Sequence, residues 1–348
     1  MKKFIVMFLA LAMVLSFVAC GNKVDDKDNA PAGDASAKAE YKLGLGVVVS
    51  MDSSSDKTED KDAFARVDTT YATVVLDKDG KIVAADLDAA QTQVSVADGK
   101  LLNLDSVGLS TKKELKDNYA MKEYSGIGKE WYEQAAAYAE KMIGKTVEDV
   151  KALALNDKGA PADADLNAVC TMAVGSFNAA IVAACEDAQA KTFTASDDFK
   201  LGLEVDLSVD SSKDYNADKE TNATVQVDAT FAATVIDADG KVISALLDEA
   251  QPAVQIDNDG KVASKTYTNT KRHLKEAYNM KAYAQNCIAE WYVQGKALTD
   301  YVVGKTADEI KAIKTEDDRP TDADLSASVT IQIGAYQAVL AEAIANAQ

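Results

Sequence analysis

The sequence predicts an α+β protein of two tandem homologous domains, each an antiparallel sheet with packed helices. Three observations carry that expectation. Segments about 160 residues apart repeat one another along the chain. Each copy opens with apolar residues at period two that run into an Asp-x-Asp-Gly turn, and each then changes to apolar residues at steps of three and four.

In chain order, Lys2 and Lys3 precede an apolar run from Phe4 to Ala19 that ends at Cys20. A basic start, a short apolar core and small residues before a cysteine predict a secretory signal over residues 1–19. "FVAC" resembles a bacterial lipobox, with Phe17 where Leu is usual, so Cys20 is the expected lipidation site and the mature chain is expected on the outer face of a cell membrane. Residues 20–40 are polar and small and read as a flexible tether.

The first domain is expected over 41–192 and the second over 193–348. "YKLGLG" at Tyr41 answers "FKLGLE" at Phe199, and "YATVVLDKDGKIVAADLDAAQ" at Tyr71 answers "FAATVIDADGKVISALLDEAQ" at Phe231. Val225, Val227, Ala229, Phe231, Ala233 and Val235 recur at period two, as do Val67, Tyr71 and Val75, which predicts a strand with one buried face. "DKDG" and "DADG" then read as hairpin turns. No EF-hand ladder of ligands follows them, which argues against calcium.

Helices are predicted from Thr111 and Thr270 onward, with Trp131, Gln134, Ala135, Tyr138 and Met142 on one face. Gly144 and Gly304 are expected to close that helix and Thr146 and Thr306 to cap the next. "GKT" at those places lacks the earlier glycine of a phosphate-binding P-loop. Phe177, Ile181, Cys185 and Ala188, and their counterparts Tyr336, Leu340, Ile344 and Ala347, mark a last amphipathic helix.

Composition narrows function. A net charge of −19 repels nucleic-acid phosphates and anionic lipid headgroups, so neither is an expected partner. Chemistry needed by both copies should occur twice, yet the single histidine, His273, has Glu114 as its counterpart, which excludes a Ser-His or Cys-His hydrolase in each copy. Cys170, Cys185 and Cys287 face Val329, Ile344 and Ile127 and read as small core residues, with no metal site expected.

Thr171 and Thr330 do recur, within "DLNAVCT" and "DLSASVT". One reading makes each an N-cap of the last helix. The other uses the free N–H groups of a helix start as a seat for phosphate. At these residues the chain resembles the flavinylation motif of FMN-binding domains, with Asp165 and Asp324 six positions before Thr171 and Thr330. The Ser-Gly-Ala stretch usual in that motif is Ala168-Val169-Cys170 in one copy and Ala327-Ser328-Val329 in the other. The resemblance implies FMN joined through its phosphate to each threonine by a flavin transferase. With the anchor and tether, it extends to the flavin-carrying lipoproteins of Gram-positive extracellular electron transfer. It implies a membrane-bound reductase as electron donor, extracellular electron acceptors, and a carrier rather than a substrate-turnover enzyme. Trp131, Trp291 and their neighbouring tyrosines read as core, and Lys112, Lys271, Lys145 and Lys305 as solvated surface. The alternative is a surface lipoprotein that binds a solute or protein partner noncovalently, its threonines being helix caps only.

Overall fold

A computed structural model describes residues 38–188, 191–284 and 287–348. The expected signal peptide, Cys20 and the expected tether up to residue 37 lie outside them. Lys38–Gln348 forms one compact α+β unit in which all strand pairs are antiparallel. Among the described residues no helix is long and apolar enough to cross a membrane.

The first half consists of β1 (Ala39–Ser50), β2 (Ala63–Leu76), β3 (Ile82–Ala97), β4 (Lys100–Leu101), α1 (Lys112–Leu115), α2 (Trp131–Glu140), α3 (Val147–Lys151), α4 (Ala164–Asn167), α5 (Gly175–Asp187) and β5 (Thr192–Ala195). Its sheet has the order β4-β3-β2-β1-β5. β5 therefore completes the first sheet beyond residue 192, and β1 starts within the stretch read as tether.

The second half repeats the plan with β6 (Lys200–Ser208), β7 (Ala223–Gln226), β8 (Asp228–Ile236), β9 (Val242–Ala250), β10 (Ala253–Ile256), β11 (Val262–Thr266), α6 (Lys271–Leu274), α7 (Met280–Tyr283), α8 (Trp291–Tyr301), α9 (Ala307–Lys311), β12 (Thr315–Glu316), β13 (Arg319–Pro320), α10 (Ala323–Ser326) and α11 (Gly334–Ala345). Here the long hairpin of β2 and β3 is cut into the sheets β6-β8-β9 and β11-β10-β7. Pro252 stands where the first half has Thr92, and a proline brings no N–H to the ladder, so pairing breaks beside it.

The turns follow their chemistry. Asp77 Oδ1 accepts from the amides of Asp79 and Lys81, each at 2.9 Å, and Gly80 takes φ 76°. Thr146 and Thr306 cap α3 and α9 in capping boxes, as predicted. Helices α2 and α8 stop before Gly144 and Gly304, which take φ near 82° and 81° in the turn beyond.

The strand expectation needs one correction. β8 is buried on both faces from Ala229 to Ile236. One face, with Ala232 and Ile236, packs on the helices of its own half. The other, with Val225, Val227, Ala229, Phe231, Ala233 and Val235, shares a core with Leu43, Leu45, Val67, Tyr71 and Val75 of the first half. The two halves thus press their sheets together and keep their helices outside. Tyr71 and Phe231 meet across the junction with ring centroids 5.2 Å apart. Helix α5 lies so close on β1 that a Cβ at Gly44 would sit 1.9 Å from the Ala184 carbonyl oxygen, and Gly202 meets Ala343 of α11 in the same way.

Candidate functional site

The site on each half is assembled around the first turn after the sheet. Asp88, in the middle of β3, accepts from the amides of Ala89 and Lys113 at 2.7 and 3.1 Å, and so pins the start of α1. Asp248 does the same for α6 through the amide of Arg272 at 3.0 Å and the hydroxyl of Thr270 at 2.7 Å. These anchors set Lys112 over the Trp131 indole, 5.4 Å from its centroid, and Lys271 over the Tyr278 ring, 5.0 Å from its centroid.

The paired aspartates titrate in opposite directions. Burial pushes the Asp88 carboxyl up to about 6. Burial acts on Asp248 too, but the hydrogen bond with His273 and the charge of Arg272 hold its carboxyl below the ordinary value.

A cavity of about 420 Å³ opens on the first half, lined by Lys112, Met121, Trp131, Met172 and Phe177 among others. Its counterpart on the second half, about 530 Å³, is lined by Lys271, Met280, Trp291, Ile331 and Tyr336, together with Thr330 and Arg319. Both volumes suit a small-molecule site. Thr330 lines its cavity directly, whereas at the first it is Met172 and Ala173, the residues after Thr171, that do so. The tryptophans are buried core residues, as predicted, and wall the cavities as well; Lys112 and Lys271, read as solvated surface, are cavity walls too. Lys145 and Lys305 lie outside both.

Neither threonine caps a helix. The N-caps of α5 and α11 are Val174 and Ile333, three residues further on. Each threonine is instead held by a glutamine from α2 or α8 that is fully buried. Gln134 Oε1 accepts from the Thr171 amide at 3.0 Å and from its hydroxyl at 3.3 Å. Gln294 Oε1 accepts from the Thr330 amide at 2.7 Å, its hydroxyl at 3.2 Å and the Ile331 amide at 3.2 Å. The amide nitrogens fix each glutamine in turn. Gln134 Nε2 donates to Ser125 Oγ and the Lys129 carbonyl, both at 3.0 Å. Gln294 Nε2 donates to the Ala289 carbonyl at 2.7 Å and reaches Cys287 Sγ at 3.4 Å. Cys287, read as core, therefore borders the second cavity and stands in for Ser125 in holding the glutamine.

Asp165 and Asp324 lie exposed on α4 and α10 and line neither cavity. The residues before them, Asp163 and Asp322, are the caps: Asp163 Oδ1 accepts from the amides of Asp165 and Leu166 at 3.0 Å. Cys170 and Cys185 are buried, as predicted.

The two cavities differ in charge. In the second, Lys271 Nζ binds Glu249 at 2.7 Å, Glu249 accepts from Tyr336 Oη at 2.6 Å, and Tyr336 accepts from Trp291 Nε1 at 2.8 Å. Burial opposes the Lys271 charge, but Glu249 beside it holds the ammonium above its ordinary value. Burial and the Glu249 charge push the Tyr336 phenol well up, so it remains a donor. In the first, Ala89 and Phe177 replace Glu249 and Tyr336, and Lys112 Nζ lies 4.9 and 5.4 Å from the ring centroids of Tyr119 and Trp131. Arg319 Nε donates to the Thr330 carbonyl at 3.1 Å, which brings a guanidinium beside that threonine; Ala160 stands in its place in the first half.

Gln134, Gln294 and Arg319 are the site residues that motif reading missed. The glutamines had a signal: a polar residue recurring in both copies on an otherwise apolar helix face. Arg319 occurs once and had none. Among the described residues no group of three or more His, Cys, Asp or Glu is placed to hold a metal ion. Comparison of the chain with protein-family models, with curated proteins and with solved structures finds no match.

Proposed function

We propose that the halves are duplicated FMN-binding domains, that Thr171 and Thr330 each carry FMN through a phosphate ester, and that the protein relays electrons outside the cell while held to the membrane by lipid on Cys20. The observation that carries this is the pairing of each threonine with a cleft walled by tryptophan, a second aromatic and a lysine. The residues fit the group. A flat apolar wall suits an isoalloxazine ring, and Lys112 in the first half and Arg319 in the second offset phosphate charge. FMN would supply two-electron uptake and single-electron release; the protein supplies attachment and surroundings.

Gln134 and Gln294 hold the threonine hydroxyls by the side-chain oxygen. A neutral amide accepts a hydrogen bond but takes no proton, so the base for ester formation must come from the transferase. That reaction joins threonine oxygen to the FMN phosphorus of FAD, breaks its pyrophosphate and releases AMP. Asp165 and Asp324, exposed on α4 and α10, are the residues such an enzyme would read. A membrane reductase as donor and extracellular acceptors complete the reading.

The test is protein purified from its own cells, denatured and run on a gel. Flavin fluorescence is expected to stay with the wild-type band, to fall by about half in Thr171→Ala or Thr330→Ala, and to vanish in the double variant, with intact mass confirming occupancy. A dark wild-type band with unmodified threonines overturns the proposal.

A further inference from the structure

A further cavity, of about 680 Å³, lies at neither threonine but where the halves meet. Its apolar lining comes from both: Val47 of β1, and Leu246, Leu247 and Trp291 of the second half. Around it stand Lys191, Arg272, His273, Lys275 and Lys296. This concentration of bases is unusual in a chain of net charge −19.

Partners offset most of it, but unevenly. Arg272 is taken up by Asp187, at 2.7 Å, and by Asp248, at 3.3 Å. Lys191 and Lys296 share a single carboxylate, Asp300, at 2.9 and 2.5 Å. The lining Glu186 is paired outward, with Lys151 at 3.0 Å. His273 is held through Nδ1, 2.8 Å from Thr270 Oγ1 and 3.3 Å from Asp248. Arg272 is outweighed by its two carboxylates, but at the mouth Lys191, Lys296 and Lys275 face, among the described residues, only Asp300 and Glu276, the latter bonded to the lining Tyr292 at 2.7 Å, which leaves one positive charge in excess above an apolar and aromatic wall.

The duplicated plan shows that these features are particular to the second half. At the matching positions Asp86 replaces Leu246 and binds Lys113 at 2.5 Å through both oxygens, Glu114 replaces His273, and Ala136 replaces Lys296. The first half thus presents a closed ion pair and a carboxylate where the second presents leucine, imidazole and ammonium.

We propose that this junction cavity is a binding site for a small planar aromatic anion, its ring against Trp291 and the leucines and its acidic group met by Lys275, Lys296 and Lys191. Trp291 also walls the Thr330 cavity. An occupant is therefore separated from that site by one indole. The assignment is independent of flavin attachment.

The test uses full-length mature protein from a host without flavin transferase, titrated with naphthalene-2-sulfonate by calorimetry and by quenching of tryptophan fluorescence. One saturable site per chain is expected, with uncharged naphthalene-2-methanol binding about tenfold more weakly or worse. Lys275→Glu/Lys296→Glu should raise the dissociation constant about tenfold or more, while Lys158→Glu/Lys219→Glu, an equal charge change elsewhere on the surface, should leave it within about twofold. Circular dichroism checks that both variants fold; should the first not fold, Lys275→Gln alone replaces it, with a smaller rise expected. Absence of saturable binding, equal affinity for the uncharged probe, or equal weakening by both charge changes overturns the assignment.

Discussion

Replacing Gln294 by leucine tests whether the threonine is held from the helix behind it. The substitution keeps the side-chain volume nearly constant but deletes the acceptor for the Thr330 and Ile331 amides and the donor to the Ala289 carbonyl. The Thr330 hydroxyl can turn to water in the cavity; the Thr330 amide and the Ala289 carbonyl lose their partner at a position that is fully buried. Each orphaned group costs about 1–3 kcal/mol, and the extra apolar burial of leucine returns about 1–2 kcal/mol. The expected net loss is about 2–3 kcal/mol, which at a slope of about 3 kcal/mol per M lowers the urea midpoint by just under about 1 M. The occupancy readout is native-host protein in a Thr171→Ala background, where only Thr330 can be loaded. Gln294→Leu is expected to reduce its in-gel flavin signal. A midpoint shifted by less than about 0.2 M together with undiminished signal would refute the anchoring role.

Other perturbations test other layers. Asp88 has a folded value of about 6, above its ordinary 3.8, so the folded chain keeps a proton that the unfolded chain gives up. Its contribution to stability is fully present below about 3.8 and is lost as pH rises to about 6, a difference of about 3 kcal/mol. Asp88→Asn should remove that slope from urea titrations across this window, and an unchanged slope would count against burial as the cause. Arg272→Ala leaves Asp187 and Asp248 buried without their guanidinium; about 3–5 kcal/mol should be lost at neutral pH, and a loss under about 1 kcal/mol would show that the pair is solvated. Gly202→Ala places a Cβ 1.9 Å from the Ala343 carbonyl oxygen and should cost about 3 kcal/mol or more by displacing α11. Tyr71→Ala and Phe231→Ala, combined in a double-mutant cycle, should show a coupling of about 0.5–1.5 kcal/mol, and additivity would mean the rings do not support one another.

Local chemistry was legible wherever a residue acts through its own backbone. The Asp-Gly turns and the Thr146 and Thr306 caps follow from hydrogen bonds within a few residues of the chain. The α+β class was legible because periods of two and of three to four respond to different geometries. What could not be read was which side of a strand is solvated. Phe231 and Ala232 point to opposite faces: helices of the same half cover Ala232, and Phe231 is covered because the first half lies against the second. The threonines had been given a role by proximity to a helix, but the next three residues intervene before α5 and α11 begin, and a glutamine 36 or 37 positions earlier meets the hydroxyl. Such a partner is invisible to any short window. The glycine shared by "YKLGLG" and "FKLGLE" was likewise visible as a letter but acquires its reason only from the helix crossing it.

The meeting of the sheets has a bearing on how such a duplication can change. A copy cut free would leave Tyr71 or Phe231, and the valines around it, facing water. Excision of one half should therefore yield insoluble material rather than a smaller folded unit. Solubility thus ties the two halves together, while their outer helical sides are free to differ, which is where Glu249, His273 and Arg319 stand against Ala89, Glu114 and Ala160.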